Sequence, residues 1–161
     1  MGDGYKLFGF AVIVVLYVGI GIAAALGTIG IIRKSLAPAT EQIFYAVVLI
    51  PVAAFYLAFA AYFGAETAWP LEGAAVAAFV AIALLGVRLP SALIVGYVLH
   101  GMWDMLHELQ AHGGYSAFES GKMTAVPLAY GFFCAAFDFY MAAYFYRQRG
   151  EWIAARTIRT S

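Results

Sequence analysis

Charge is scarce in this chain of 161 residues. Only 11% of it is charged, against about 25% in ordinary soluble domains, which takes the chain far from that class. Nine basic residues balance nine acidic ones, and a net charge of zero argues against a nucleic-acid partner. A lone cysteine, Cys134, excludes an intramolecular disulfide framework. Lysine is absent from the apolar runs, leaving no attachment point for a retinal Schiff base. All three histidines, His100, His107 and His112, lie in one stretch, Gly96 to His112. Two helices therefore cannot face each other with histidines across a haem. Ser91 lies at the far end of the same run from the histidines, so a Ser-His-Asp triad is not expected.

Apolar length is abundant instead: 65% of the residues are hydrophobic. A membrane-crossing helix needs about 20 mostly apolar residues, and five such runs are expected, over about 7–32, 42–63, 70–87, 90–109 and 124–146. The chain is accordingly read as one all-α, polytopic membrane domain. The first run is too long for the apolar core of a secretory signal and is read as a retained span. It carries the pairs Gly21/Ala25 and Ala23/Gly27, small residues four apart that allow a second helix to approach. Pro51 falls inside the second run and is expected to kink it. Pro70 suits the first position of the third helix, with Glu72 in its first turn, where the helix dipole favours an acid. Pro90 starts the fourth, and Pro127 is expected in the first turn of the fifth. The glycine- and serine-rich stretch from His112 to Met123 is a loop.

Five spans place Arg33, Lys34, Arg88, Arg147, Arg149, Arg156 and Arg159 on one side, against Lys6 and Lys122 on the other. The positive-inside rule then sets the N-terminus outside and the C-terminus in the cytoplasm, in the manner of a bacterial inner-membrane protein. The tail, residues 147–161, interleaves arginines with Trp152 and Ile153 and is expected to lie along an anionic leaflet.

The polar exception is the fourth run. With His100 as zero and about 100° per residue, Asp104 falls near ~40°, His107 near ~340° and Glu108 near ~80°. The four share a face bordered by Trp103, and Val98, Met102, Met105 and Leu109 lie opposite. Intramembrane charges cost roughly 2.5–3.5 kcal/mol each at the helix centre, so this face should turn inward and find partners. Imidazole and carboxylate are common ligands for zinc, iron, copper and manganese, and positions i, i+4 and i+7 can converge. His100, Asp104 and His107 are therefore the expected metal ligands. Glu108 is expected as general base, with Asp138, Cys134 or His112 in support. Such a metal would activate water or dioxygen near the outer leaflet, acting on a lipid or other hydrophobic substrate. On the depths implied by the five runs, Cys134 is level with His100, and Asp138 is a turn deeper unless the fifth helix starts late.

Other readings of the same residues are a buried hydrogen-bond network, a proton relay stepping inward from His112 through His107, Asp104 and His100, and a Cys134–His100 nucleophile pair. Beyond the lipid bilayer itself, the aromatic and Gly/Ala faces could pack on partner chains, as a homo-oligomer or as a non-catalytic subunit of a larger membrane complex.

His100, the pair Trp103-Asp104, His107, a Gly/Pro-bearing linker, and Cys134 followed by Asp138 together resemble a family of small bacterial integral-membrane proteins of unknown function. The resemblance covers about Gly96 to Tyr146. A second histidine often follows the one matching His107, and Glu108 stands at that place. The resemblance implies a polar site built from the fourth and fifth spans and brings no activity with it.

Overall fold

A computed structural model describes residues 2–160, with side chains for residues 6–157. Five α-helices make up the fold: α1 (Gly2–Ser35), α2 (Pro38–Tyr62), α3 (Trp69–Gly86), α4 (Pro90–His112) and α5 (Tyr130–Thr160), with one short 3₁₀ turn at Glu66–Ala68. There is no strand among the described residues. Proline sits in the first turn of α2, α3 and α4, where its missing N–H has no partner to lose. Pro51 lies within α2, and the helix continues across it.

Three helical segments are long and apolar enough to cross a membrane: Lys6–Ser35, Pro38–Tyr62 and Glu66–Gly86. The other two helices are diluted by their own chemistry. α4 carries three histidines and two acids, and α5 carries Asp138 and ends in an arginine-rich segment. A large share of the outer surface is apolar, including Leu7, Val15, Leu16 and Ile31 on α1, each more than half exposed.

The helices alternate in direction. At one end Arg33 meets Glu151 at 3.1 Å, Gln42 donates to the Gly86 carbonyl at 2.7 Å, and Arg156 donates to the carbonyls of Val87 and Arg88. At the other end Thr67 donates to the Gly121 carbonyl, and His112 Nε2 lies 3.1 Å from the Val126 carbonyl. α5 packs along both α4 and α1, and α2 packs on α3.

Close approach is set by glycine. A methyl group on Gly21 would lie 2.4 Å from the Phe133 carbonyl oxygen, so α1 and α5 touch backbone to backbone there. Ala25, one turn on, is wholly buried. A methyl group on Gly101 of α4 would lie 2.9 Å from the Phe139 ring of α5.

The arginine-rich tail does not leave the bundle. α5 runs unbroken from Tyr130 to Thr160, and Trp152 is completely buried. Its ring centroid lies 5.4 Å from that of Phe145, and its Nε1 donates to Glu41 at 3.1 Å. Tyr144 donates to the other oxygen of Glu41. The acid at the start of α2 thus draws the tryptophan inward and satisfies its indole N–H, which an apolar contact alone would leave unpaired. The side chain of Arg159 lies outside the described residues.

Candidate metal centre

The polar stripe of α4 points into the bundle: His100, Asp104, His107 and Glu108 are each at most 1% exposed, while Val98 and Met102 face outward. The four side chains then divide between two sites.

At mid-height, His100, Asp104 and Asp138 form a buried group whose potential ligand atoms all lie within 4.8 Å of one another, a cluster that could hold a metal ion. His100 Nδ1 is 2.6 Å from Asp138 Oδ2. It is 3.2 Å from Asp104 Oδ2, but too poorly aligned there for a hydrogen bond. Tyr56, from α2, donates its hydroxyl to Asp104 Oδ1. Phe79 of α3 closes over the imidazole edge to face, with centroids 4.9 Å apart. Every helix except α1 therefore contributes to the wall of the site.

Asp138 stands level with His100 because α5 begins at Tyr130 and not near Thr124. Residues 124–129 are extended or turning, and Pro127 lies ahead of the helix. The later start shifts the α5 side chains along the axis, and the exchange of Cys134 for Asp138, four residues on, corresponds to about 6 Å. Asp138 rather than Cys134 thereby becomes the partner of His100. Cys134 is buried one turn away.

Nearer the loop end, His107 is held by other groups. Its Nε2 is 2.8 Å from Glu72 Oε1 and its Nδ1 is 3.0 Å from the Trp103 carbonyl. That carbonyl can only accept, so Nδ1 carries a proton. The Glu72 oxygen also accepts the Thr124 backbone N–H at 2.9 Å, tying the start of α3 to the loop before α5. The Tyr56 ring stacks on His107 with centroids 4.0 Å apart while its hydroxyl serves Asp104, so one side chain braces both sites.

Glu108 is equally committed. Its two oxygens accept the backbone N–H groups of Ala129 and Gly131, both at 2.9 Å. These are donors at the start of α5 without a partner in their own helix, and a carboxylate there also faces the positive end of the helix dipole. Ala129 takes a φ of 62°, a left-handed turn that aims both N–H groups at Glu108. His112, beyond this clamp, reaches only the loop carbonyl of Val126.

The donor set at mid-height suits a cation. Two carboxylates face one imidazole, so with both ionised even a protonated His100 leaves one negative charge in excess. A buried, unpaired charge is costly. Among the described residues, His100 Nε2, Asp104 Oδ2 and Asp138 Oδ1 are buried without a hydrogen-bond partner. Buried polar atoms in folded proteins are nearly always satisfied, so the two free carboxylate oxygens of this cluster are available to a metal ion that the group could hold.

Tyr56 and Glu72 are parts of this machinery that the sequence did not single out. Glu72 is legible only as a helix-start acid. A signal for Tyr56 was its hydroxyl in the middle of an apolar run, where some partner is required.

The fold and site thus define a class: an all-helical protein with membrane-type helices around a buried His/Asp/Asp centre. The chain belongs to the Family of unknown function (DUF6010), whose model matches residues 12–151. The match takes in α2, α3, α4 and all of the site's supporting residues, well beyond the segment from Gly96 to Tyr146. No curated protein and no solved structure matches the chain.

Proposed function

We propose that this chain is a five-span inner-membrane protein that binds one divalent transition-metal ion at His100, Asp104 and Asp138 and uses it to act on a hydrophobic substrate. The observation that carries the reading is the buried cluster of two carboxylates and one imidazole, with an unpartnered atom on each residue. A mixed oxygen and nitrogen donor set fits zinc, iron, manganese or copper, and two carboxylates match the charge of a divalent ion. A divalent ion there would act as a Lewis acid toward an oxygen atom of the substrate.

The chain's own contribution is positioning. Tyr56 fixes one oxygen of Asp104, so that only the other is free to ligate. Glu108 holds the start of α5 against α4 and thereby sets the level of Asp138. Neither Glu108 nor His107 has a free atom directed at the cluster, which favours supporting roles for both over those of base and ligand.

Membrane crossing by α4 and α5, with the N-terminus outside, is supported by the alternating helix directions and by Arg33, Arg88 and Arg156 gathering at one end. An impermeant thiol reagent on intact cells, in a Cys134→Ser background, should label Lys122→Cys and spare Lys34→Cys; the reverse pattern would invert the orientation.

The metal reading is tested by thermal unfolding of detergent-purified, chelator-treated protein. A ligand at 100 times its Kd stabilises the folded state by about 2.7 kcal/mol, so the preferred ion should raise Tm by roughly 5 °C or more. Asp138→Asn should flatten the response. A melt unmoved by zinc, iron(II), manganese and copper would remove the proposal.

A further inference from the structure

A cavity of about 310 Å³ lies between α1, α2 and α5, within the range of small-molecule pockets. Its walls are Ala24, Val52, Phe55, Phe133 and Phe137, with the Tyr130 hydroxyl and the Cys134 thiol paired with each other, and Asp138 lines it from the direction of the His/Asp/Asp centre. Phe55 is half exposed, so the cavity reaches the outer surface of the bundle. α1 and α2 barely touch, which leaves the space between them open at the height of the site.

Asp138 supplies the second observation. It is 1% exposed, one of its oxygens is engaged by His100, and Oδ1 has no hydrogen-bond partner. A mostly apolar wall that ends on the buried Asp138 carboxylate asks for a ligand with a long apolar body and a single hydrogen-bond donor at its end, which an oxygen of that carboxylate can accept with or without a metal beside it.

We propose that this cavity is the substrate pocket, entered sideways from the bilayer, and that it takes a single-chain lipid alcohol whose hydroxyl is presented to Asp138 at the metal centre. The inference rests on the metal reading for the role of the hydroxyl, but the pocket itself stands on its lining and on Asp138. A plain hydrocarbon of the same length would fill the walls and leave the acceptor unpaired. A fatty carboxylate would bring acceptors and no donor.

The test uses full-length protein in phosphatidylcholine nanodiscs and a long-chain alcohol carrying a mid-chain diazirine. Photolysis should place the label on the Val52–Phe55 and Phe133–Phe137 segments. Excess 1-dodecanol should reduce this labelling at least tenfold, and dodecane or dodecanoate should not. Ala24→Trp or Val52→Trp should block it to a similar extent while the metal content stays at the wild-type level. Labelling spread over the exposed face of α1 and insensitive to 1-dodecanol would overturn the pocket, even if metal is bound. Competed labelling of a metal-free protein would instead sustain the pocket and remove the metal reading.

Discussion

Gly131→Ala is expected to lower stability by about 3 kcal/mol, at the upper end of overpacking penalties. The added methyl would lie 2.4 Å from the Asp104 carbonyl oxygen and 2.6 Å from Glu108 Cβ. One obstacle is backbone, so no rotamer change relieves it. The start of α5 must move away from α4, which loosens the two N–H bonds to Glu108 and shifts Asp138 relative to His100. The same substitution at Gly27, where nothing lies within 4 Å, should stabilise by about 0.5–1 kcal/mol, because alanine is the better helix residue. Thermal melts of the two variants in one detergent make the comparison. Equal, small effects would mean that the α4–α5 approach is not set at Gly131.

The second large effect concerns the ligands. Asp104→Asn and Asp138→Asn should each weaken metal affinity at least about 100-fold, above the 10–100-fold typical of supporting residues. His107→Gln should leave affinity within about tenfold of wild type. Both ring nitrogens of His107 are engaged elsewhere, by Glu72 and by the Trp103 carbonyl. Competition titration against a metallochromic chelator ranks the variants. Loss of metal on His107→Gln, with Asp138→Asn unaffected, would restore the His100, Asp104 and His107 ligand set that helix periodicity favours.

Periodicity is informative about one helix at a time. It showed that the α4 stripe shares a face, and burial of all four residues follows from the expense of leaving them in an apolar surface. It could not show that the stripe is divided lengthwise. That division comes from α3, whose Glu72 reaches His107, and from α5, whose level depends on where the helix begins. Pro127 is compatible with a first helical turn, yet the left-handed Ala129 and the Glu108 clamp delay the helix to Tyr130. Six residues of delay are invisible to hydropathy, because residues 124–129 are mostly apolar in either conformation. The tail shows the same limit: the burial of Trp152 depends on Glu41, far away in sequence, which supplies the indole with a partner. Gly21 was legible as a contact residue and its partner helix was not.

In the proposed centre a cation balances the two aspartates around His100. Metal analysis of protein purified without chelators measures this directly, as moles of each transition metal per chain for wild type and for Asp138→Asn. The expected result is close to one divalent ion per wild-type chain and less than about a tenth of that in the variant, as a 100-fold affinity loss implies. Wild-type protein that is folded yet free of metal, or a variant that retains as much as wild type, would contradict it.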